Sequence, residues 1–138
     1  MTKVAATLLL VVEDHPETRE FLEMALSDEF DVEFAVSAEE ALEKVGDGDY
    51  DLLLVDIALP GEMNGVELVQ CLRETPAHGE LPMIAMTAHQ LLEDRQYFLE
   101  RGFDDYLAKP FYPSDLIEAI HKLVGDGGNG PTFEERPR

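Results

Sequence analysis

The chain has 138 residues, 45% of them apolar, which suits one folded domain with a packed core and excludes a disordered chain. Thirty Asp and Glu against ten Lys and Arg give a formal net charge of −20. That balance argues against direct nucleic-acid binding and against docking on anionic lipid, both of which draw on basic side chains. The single cysteine, Cys71, cannot form an internal disulfide, and no Cys/His group has zinc-site spacing. The expectation is a cytoplasmic domain with an acidic surface.

Met1-Thr2-Lys3 followed by Val4–Val12 has the outline of a secretory signal, but Glu13-Asp14 ends the run and no small-residue cleavage site follows. A buried strand over Thr7–Val12 explains it better. Further short apolar runs predict strands at Val32–Val36, Leu52–Val55, Pro82–Met86 and Asp105–Ala108. The first, third and fourth are apolar at successive positions, as in strands covered on both faces of a parallel sheet.

Helical patterns fall between the strands. Phe21, Leu22, Ala25 and Leu26 form a stripe after Pro16, and Ala38, Ala41, Leu42 and Val45 form another, with Ser37 and Glu40 at capping-box spacing. Val66, Val69 and Leu72 mark a third helix. Leu91, Leu92, Phe98 and Leu99 mark a fourth, and Leu116, Ile120 and Leu123, after Pro113, a fifth. Five βα units predict a doubly wound α/β sheet of strand order 2-1-3-4-5 over residues 1–124. Residues 125–138, rich in Gly at the start and polar afterwards, read as a flexible tail or the beginning of a linker.

In such a sheet the ligand site lies beyond the carboxyl ends of the strands. Strand one ends in Glu13-Asp14, strand three in Asp56, strand four in Thr87-Ala88 and strand five in Lys109-Pro110. Each alone could be a cap, a turn residue or a surface charge. Together they place three carboxylates, a hydroxyl and an ammonium on one edge. Clustered carboxylates repel, and a hard divalent cation such as Mg²⁺ relieves the conflict. The set suits transfer of a phosphoryl group to an Asp side chain.

Four segments, LLLVVEDHP at 8–16, DLLLVDIALPG at 51–61, MIAMTA at 83–88 and YLAKPF at 106–111, resemble in order and spacing the receiver domain of two-component response regulators. The likeness spans residues 7–124 and implies a chemotaxis-type fold. It implies that Asp56 accepts a phosphoryl group from a histidine kinase or phosphotransfer protein. Glu13, Asp14, Asp56 and the Ala58 carbonyl would hold Mg²⁺. Lys109 would bind a phosphoryl oxygen, preceding a cis peptide to Pro110, while Thr87 and Tyr106 would act as the switch. Partners would read residues 89–123, and the chain would be a signalling protein catalysing only its own phosphorylation and dephosphorylation. Dimerisation through the fourth and fifth helices is left open.

The segment Pro60-Gly61-Glu62-Met63-Asn64-Gly65 carries one residue more than the family's usual Pro-x-x-Asp/Asn-Gly. Ala58 and His89 stand where the family sets phosphoryl lifetime. A haloacid-dehalogenase-type phosphohydrolase would place a second Asp at Ala58. A flavodoxin-like flavin carrier would place a hydroxyl- and glycine-rich loop where Glu13-Asp14-His15-Pro16 stands. His15, beside the acid pair, reads as a surface histidine rather than a metal ligand, because Mg²⁺ prefers oxygen. His78 reads as a loop residue, His121 as one on a helix flank, and Cys71 as packing on a largely apolar helix. Tyr97 and Phe98 suit either the core or a partner contact.

The charge of −20 is either an ordinary solvated surface or an adaptation to high salt. Self-repulsion opposes folding, and at ~1 M salt the screening length falls to about 3 Å. Adaptation predicts an unfolding midpoint that climbs steeply with KCl, whereas a flat response in thermal melts would exclude it.

Overall fold

The three runs of unbroken apolar residues lie in the middle of the sheet, where both faces are covered. The computed structural model describes residues 7–88 and 94–125. Its strands are β1 (Leu8–Val12), β2 (Asp31–Ala35), β3 (Leu52–Asp56), β4 (Met83–Thr87) and β5 (Asp105–Ala108). All pair in parallel in the order β2-β1-β3-β4-β5, as the sequence predicts. β3 and β4 are buried at every position, while the edge strands β2 and β5 are partly exposed.

The helices are α1 (Pro16–Leu26), α2 (Ala38–Asp47), α3 (Gly65–Arg73), α4 (Asp94–Glu100) and α5 (Pro113–Val124), with a 3₁₀ turn at Pro76–His78. Alternate residues of each central strand serve opposite layers. Leu9, Val11, Leu52, Leu54, Ile84 and Met86 pack with Leu22 and Leu26 of α1 and Leu116 and Ile120 of α5. Leu10, Val12, Leu53, Val55, Met83 and Ala85 pack with α2 and α3 and with Phe98 of α4. Burying a leucine-sized side chain contributes about 1.5–3 kcal/mol, so these two layers are the main source of stability.

Helix starts follow the sequence closely. The Ser37 side chain accepts from the Glu40 amide at 3.1 Å, and α1 and α5 each open on a proline. Leu91, Leu92 and His89 lie outside the described residues, as do residues 126–138. Phe98 belongs to the core at 3% exposure, whereas Tyr97 next to it is 43% exposed. Cys71 departs from expectation. It is exposed on α3, because the buried face of that helix is Leu68, Val69 and Leu72.

Arg73, unremarked in the sequence, ties three loops together. Its Nε donates to the Gly102 carbonyl at 2.8 Å, and its Nη1 to the carbonyls of Gly79 and Leu81 at 3.0 and 2.7 Å. Nη2 meets Asp104 Oδ2 at 2.9 Å, and that oxygen also accepts from the Met83 amide at 2.9 Å. Gly102, at φ +108°, passes so close that an added Cβ would stand 3.2 Å from the Arg73 Cγ. Arg73→Ala would strand these acceptors, and we expect about 2 kcal/mol less unfolding free energy in urea titrations.

Candidate functional site

The parallel register brings the carboxyl ends of β1, β3, β4 and β5 to one edge, and the chemistry-bearing residues stand there. Glu13 follows β1 and is fully buried, its amide still bonded to the Ala35 carbonyl of β2 at 2.9 Å. Its Oε2 accepts from the His15 amide at 3.1 Å and lies 2.9 Å from His15 Nδ1. Its Oε1 accepts from Lys109 Nζ at 3.1 Å. Burial pushes the Glu13 carboxyl up, but the bonds from His15 and the charge of Lys109 outweigh it, so the group sits below its ordinary value.

Asp56 ends β3 at 3% exposure. Its Oδ1 accepts from the Ala58 amide at 3.0 Å, and its Oδ2 lies 3.6 Å from Lys109 Nζ. Burial, and then the charge of Glu13, push the Asp56 carboxyl up to about 6. Lys109 thus stands between two carboxylates. The Lys109–Pro110 peptide is cis, as the resemblance implies, and the Lys109 amide donates to the Thr87 carbonyl at 2.7 Å. Thr87 itself ends β4 and is buried.

Asp14 Oδ1 is buried and has no hydrogen-bond partner. A carboxylate oxygen in that condition is an acceptor suited to a cation. Glu13, Asp14, His15 and Asp56 each offer a donor atom, all within 4.8 Å of one another. These residues therefore fit a divalent metal ion. His15, read from sequence as a bystander, belongs to the cluster. The adjacent acidic pair was the signal that could have placed it. Its imidazole is held above its usual range, first by the bond to Glu13 and then by the charge of Asp14. Tyr106 is not in the cluster. It is half-buried in β5, with its ring centroid 5.7 Å from that of Phe98.

Residues 9–121 match the family described as the response regulator receiver domain. The chain belongs to that family. Relatives include an uncharacterized 14.6 kDa protein of the sodA1 3′ region in Leptolyngbya boryana, 43% identical, with 88% of this chain and 93% of the relative covered. The transcriptional regulatory protein CusR of Escherichia coli (strain K12) is 38% identical over 86% of this chain, which spans about half (52%) of CusR. Among solved structures, the receiver domain of sensor histidine kinase PA1611 from Pseudomonas aeruginosa PAO1 has 30% identity and a TM-score of 0.79. The match covers 88% of this chain and 99% of that one, whose active-site cleft coordinates a magnesium ion.

The 60–65 loop of the receiver leads into α3 through a left-handed glycine and a reciprocal helix cap. Gly61 takes φ +94°, and Asn64 closes a capping box with Glu67, each side chain accepting from the other's amide at 2.9 Å. Gly65 then donates to the Ile57 carbonyl at 3.1 Å. A Cβ there would collide with the Asp56 carbonyl, so a residue without a side chain is required where the loop rejoins the site. Among the described residues, no helix is long and apolar enough to cross a membrane.

Proposed function

We propose that this receiver is a phosphorylation switch in which Asp56 takes a phosphoryl group from a phosphohistidine on a kinase or phosphotransfer partner. The observation that carries this reading is a buried carboxylate at the end of β3, oriented by one amide and 3.6 Å from an ammonium. The Ala58 amide holds Oδ1, leaving Oδ2, on the Lys109 side, to attack. With a pKa of about 6, Asp56 is mostly ionised at pH 7 and able to act as the nucleophile. The new O–P bond forms as the P–N bond breaks, and the departing imidazole keeps the electron pair and takes up a proton.

Mg²⁺, held by Glu13, Asp14, Asp56 and the Ala58 carbonyl, would supply the charge neutralisation that an incoming phosphoryl group needs beside three carboxylates. Lys109 would pair with a phosphoryl oxygen, and the Thr87 hydroxyl would donate to another. Movement of Thr87 would let Tyr106 settle deeper beside Phe98, changing the surface around α4, β5 and α5 that a downstream protein reads. A bias of a few kcal/mol suffices for that change. The methyl of Ala58 leaves space for the water that later removes the phosphoryl group. Direct nucleic-acid contact has no place in this reading, given the net charge of −20.

Intact-mass spectrometry after incubation with acetyl phosphate tests the proposal. A phosphoryl adduct that requires Mg²⁺ and disappears in Asp56→Asn is expected. No adduct at any salt concentration would leave the chain a phosphorylation-independent interaction domain.

A further inference from the structure

The metal-binding edge contains a donor unlike the others. His15 follows Asp14 directly, and its Nδ1 lies 2.9 Å from Glu13 Oε2 and 3.5 Å from Asp14 Oδ1. A divalent ion bound at about 2.1 Å sets neighbouring donors roughly 3 Å apart. The imidazole nitrogen stands at that separation from Glu13 Oε2 and somewhat beyond it from Asp14 Oδ1, within a group of four donor atoms that all lie within 4.8 Å of one another. One of those oxygens, Asp14 Oδ1, is buried without a hydrogen-bond partner.

The placement is fixed by the backbone. The His15 amide donates to Glu13 Oε2 at 3.1 Å, and its carbonyl accepts from the Arg19 amide at 3.0 Å at the start of α1. Pro16 follows at the first helical position. The side chain is 60% exposed and makes no helix-capping bond. Its Nδ1 is bonded to Glu13 Oε2 at 2.9 Å, so metal ligation would replace that hydrogen bond and release the proton it carries.

Oxygen-only sites suit Mg²⁺, whereas imidazole favours ions such as Co²⁺, Ni²⁺ and Zn²⁺. We infer that His15 is a nitrogen ligand of this site and shifts its selectivity from Mg²⁺ toward these borderline divalent cations. The inference rests on the metal-dependent reading above and specifies which ions the same site prefers. The competing role for His15 is to orient Glu13 by donating to Oε2. That role would weaken all metals alike, which separates the two.

Calorimetric titration of the metal-free full chain with MgCl₂ and with CoCl₂, in wild type and His15→Ala, makes the test. Loss of even a supporting partner costs roughly tenfold in metal affinity, so loss of a ligand should cost Co²⁺ at least that. Mg²⁺ affinity should change by less than about threefold, because its preferred donors, the carboxylates, remain. Electron paramagnetic resonance of the chain with one equivalent of Cu²⁺ should show nitrogen splitting that vanishes in the variant. An unchanged Co²⁺/Mg²⁺ ratio, or an equal loss for both ions, would overturn the inference. Failure of wild type to bind Mg²⁺ at all, with Co²⁺ binding still dependent on His15, would instead remove the Mg²⁺ reading and keep His15 as a ligand. Circular dichroism of the variant checks that the fold is retained.

Discussion

Lys109→Met is expected to lower the unfolding free energy by about 2–4 kcal/mol at pH 7 in the presence of a chelator. Removing one partner of a buried ion pair leaves the other charge uncompensated, at about 3–5 kcal/mol when burial is complete. Here Glu13 is fully buried, but Lys109 is 25% exposed and His15 still bonds to Glu13, so the expected loss is smaller. Saturating Mg²⁺ should restore part of the deficit, because the cation would neutralise the carboxylates that the ammonium no longer serves. The Lys109 contribution is also pH-dependent. The Glu13 carboxyl lies below its ordinary value in the folded chain, so its stabilisation is present above pH 4.5 and fades as the pH falls through the folded value. Urea titrations with and without Mg²⁺, at pH 7 and at acid pH, check this. Equal losses in both metal conditions would mean that the ammonium is not standing in for a cation.

Asp56→Asn should act in the opposite direction and stabilise the metal-free chain at neutral pH. A carboxyl raised from 3.8 to about 6 on folding favours the protonated form in the native state. Its ionisation therefore opposes folding. The penalty is absent below pH 3.8, grows as the pH rises through 4 to 6 and is complete above 6. At about 1.4 kcal/mol per unit, the variant should gain about 1–3 kcal/mol at pH 7 and almost nothing at pH 3.5. Thermal melts across that range, in chelator, supply the measurement. Added Mg²⁺ should stabilise wild type more than the variant, since Asn brings no charge to the metal. A variant less stable than wild type at pH 7 would show that the Asp56–Lys109 attraction outweighs burial and repulsion from Glu13.

Strand positions were legible because burial on two faces leaves unbroken apolar runs, and observed strands fall within one residue of the predicted ends. The edge strands read less plainly since only one side of each is paired, yet β5 matched at both ends. Glu13, Asp14, Asp56, Thr87 and Lys109 could be placed at one edge because a parallel repeat puts every strand end there. Arg73 could not be found this way. Its partners at Gly79, Leu81 and Gly102 are backbone carbonyls, which carry no residue-type signal, and the last lies 29 positions away. Cys71 was misjudged because Val69 and Leu72 set the buried face and the cysteine points outside it. The acidic pair beside His15 marks it as a candidate, but its place in the cluster is decided by where the imidazole nitrogen stands, which takes the folded geometry.

The open edge of β2 carries two exposed carboxylates, Asp31 and Glu33, the latter accepting a 2.6 Å bond from the Tyr50 hydroxyl. An edge strand offers unpaired backbone groups to any passing chain, and charge is a common guard against such pairing. Strand addition between two copies along β2 would bring these carboxylates within about 5 Å of their counterparts. Ions that relieve repulsion inside the fold would also screen this guard. The chain's resistance to forming β2-to-β2 aggregates should consequently be strongest in dilute buffer and weaken as salt rises, placing conformational and colloidal stability in opposition.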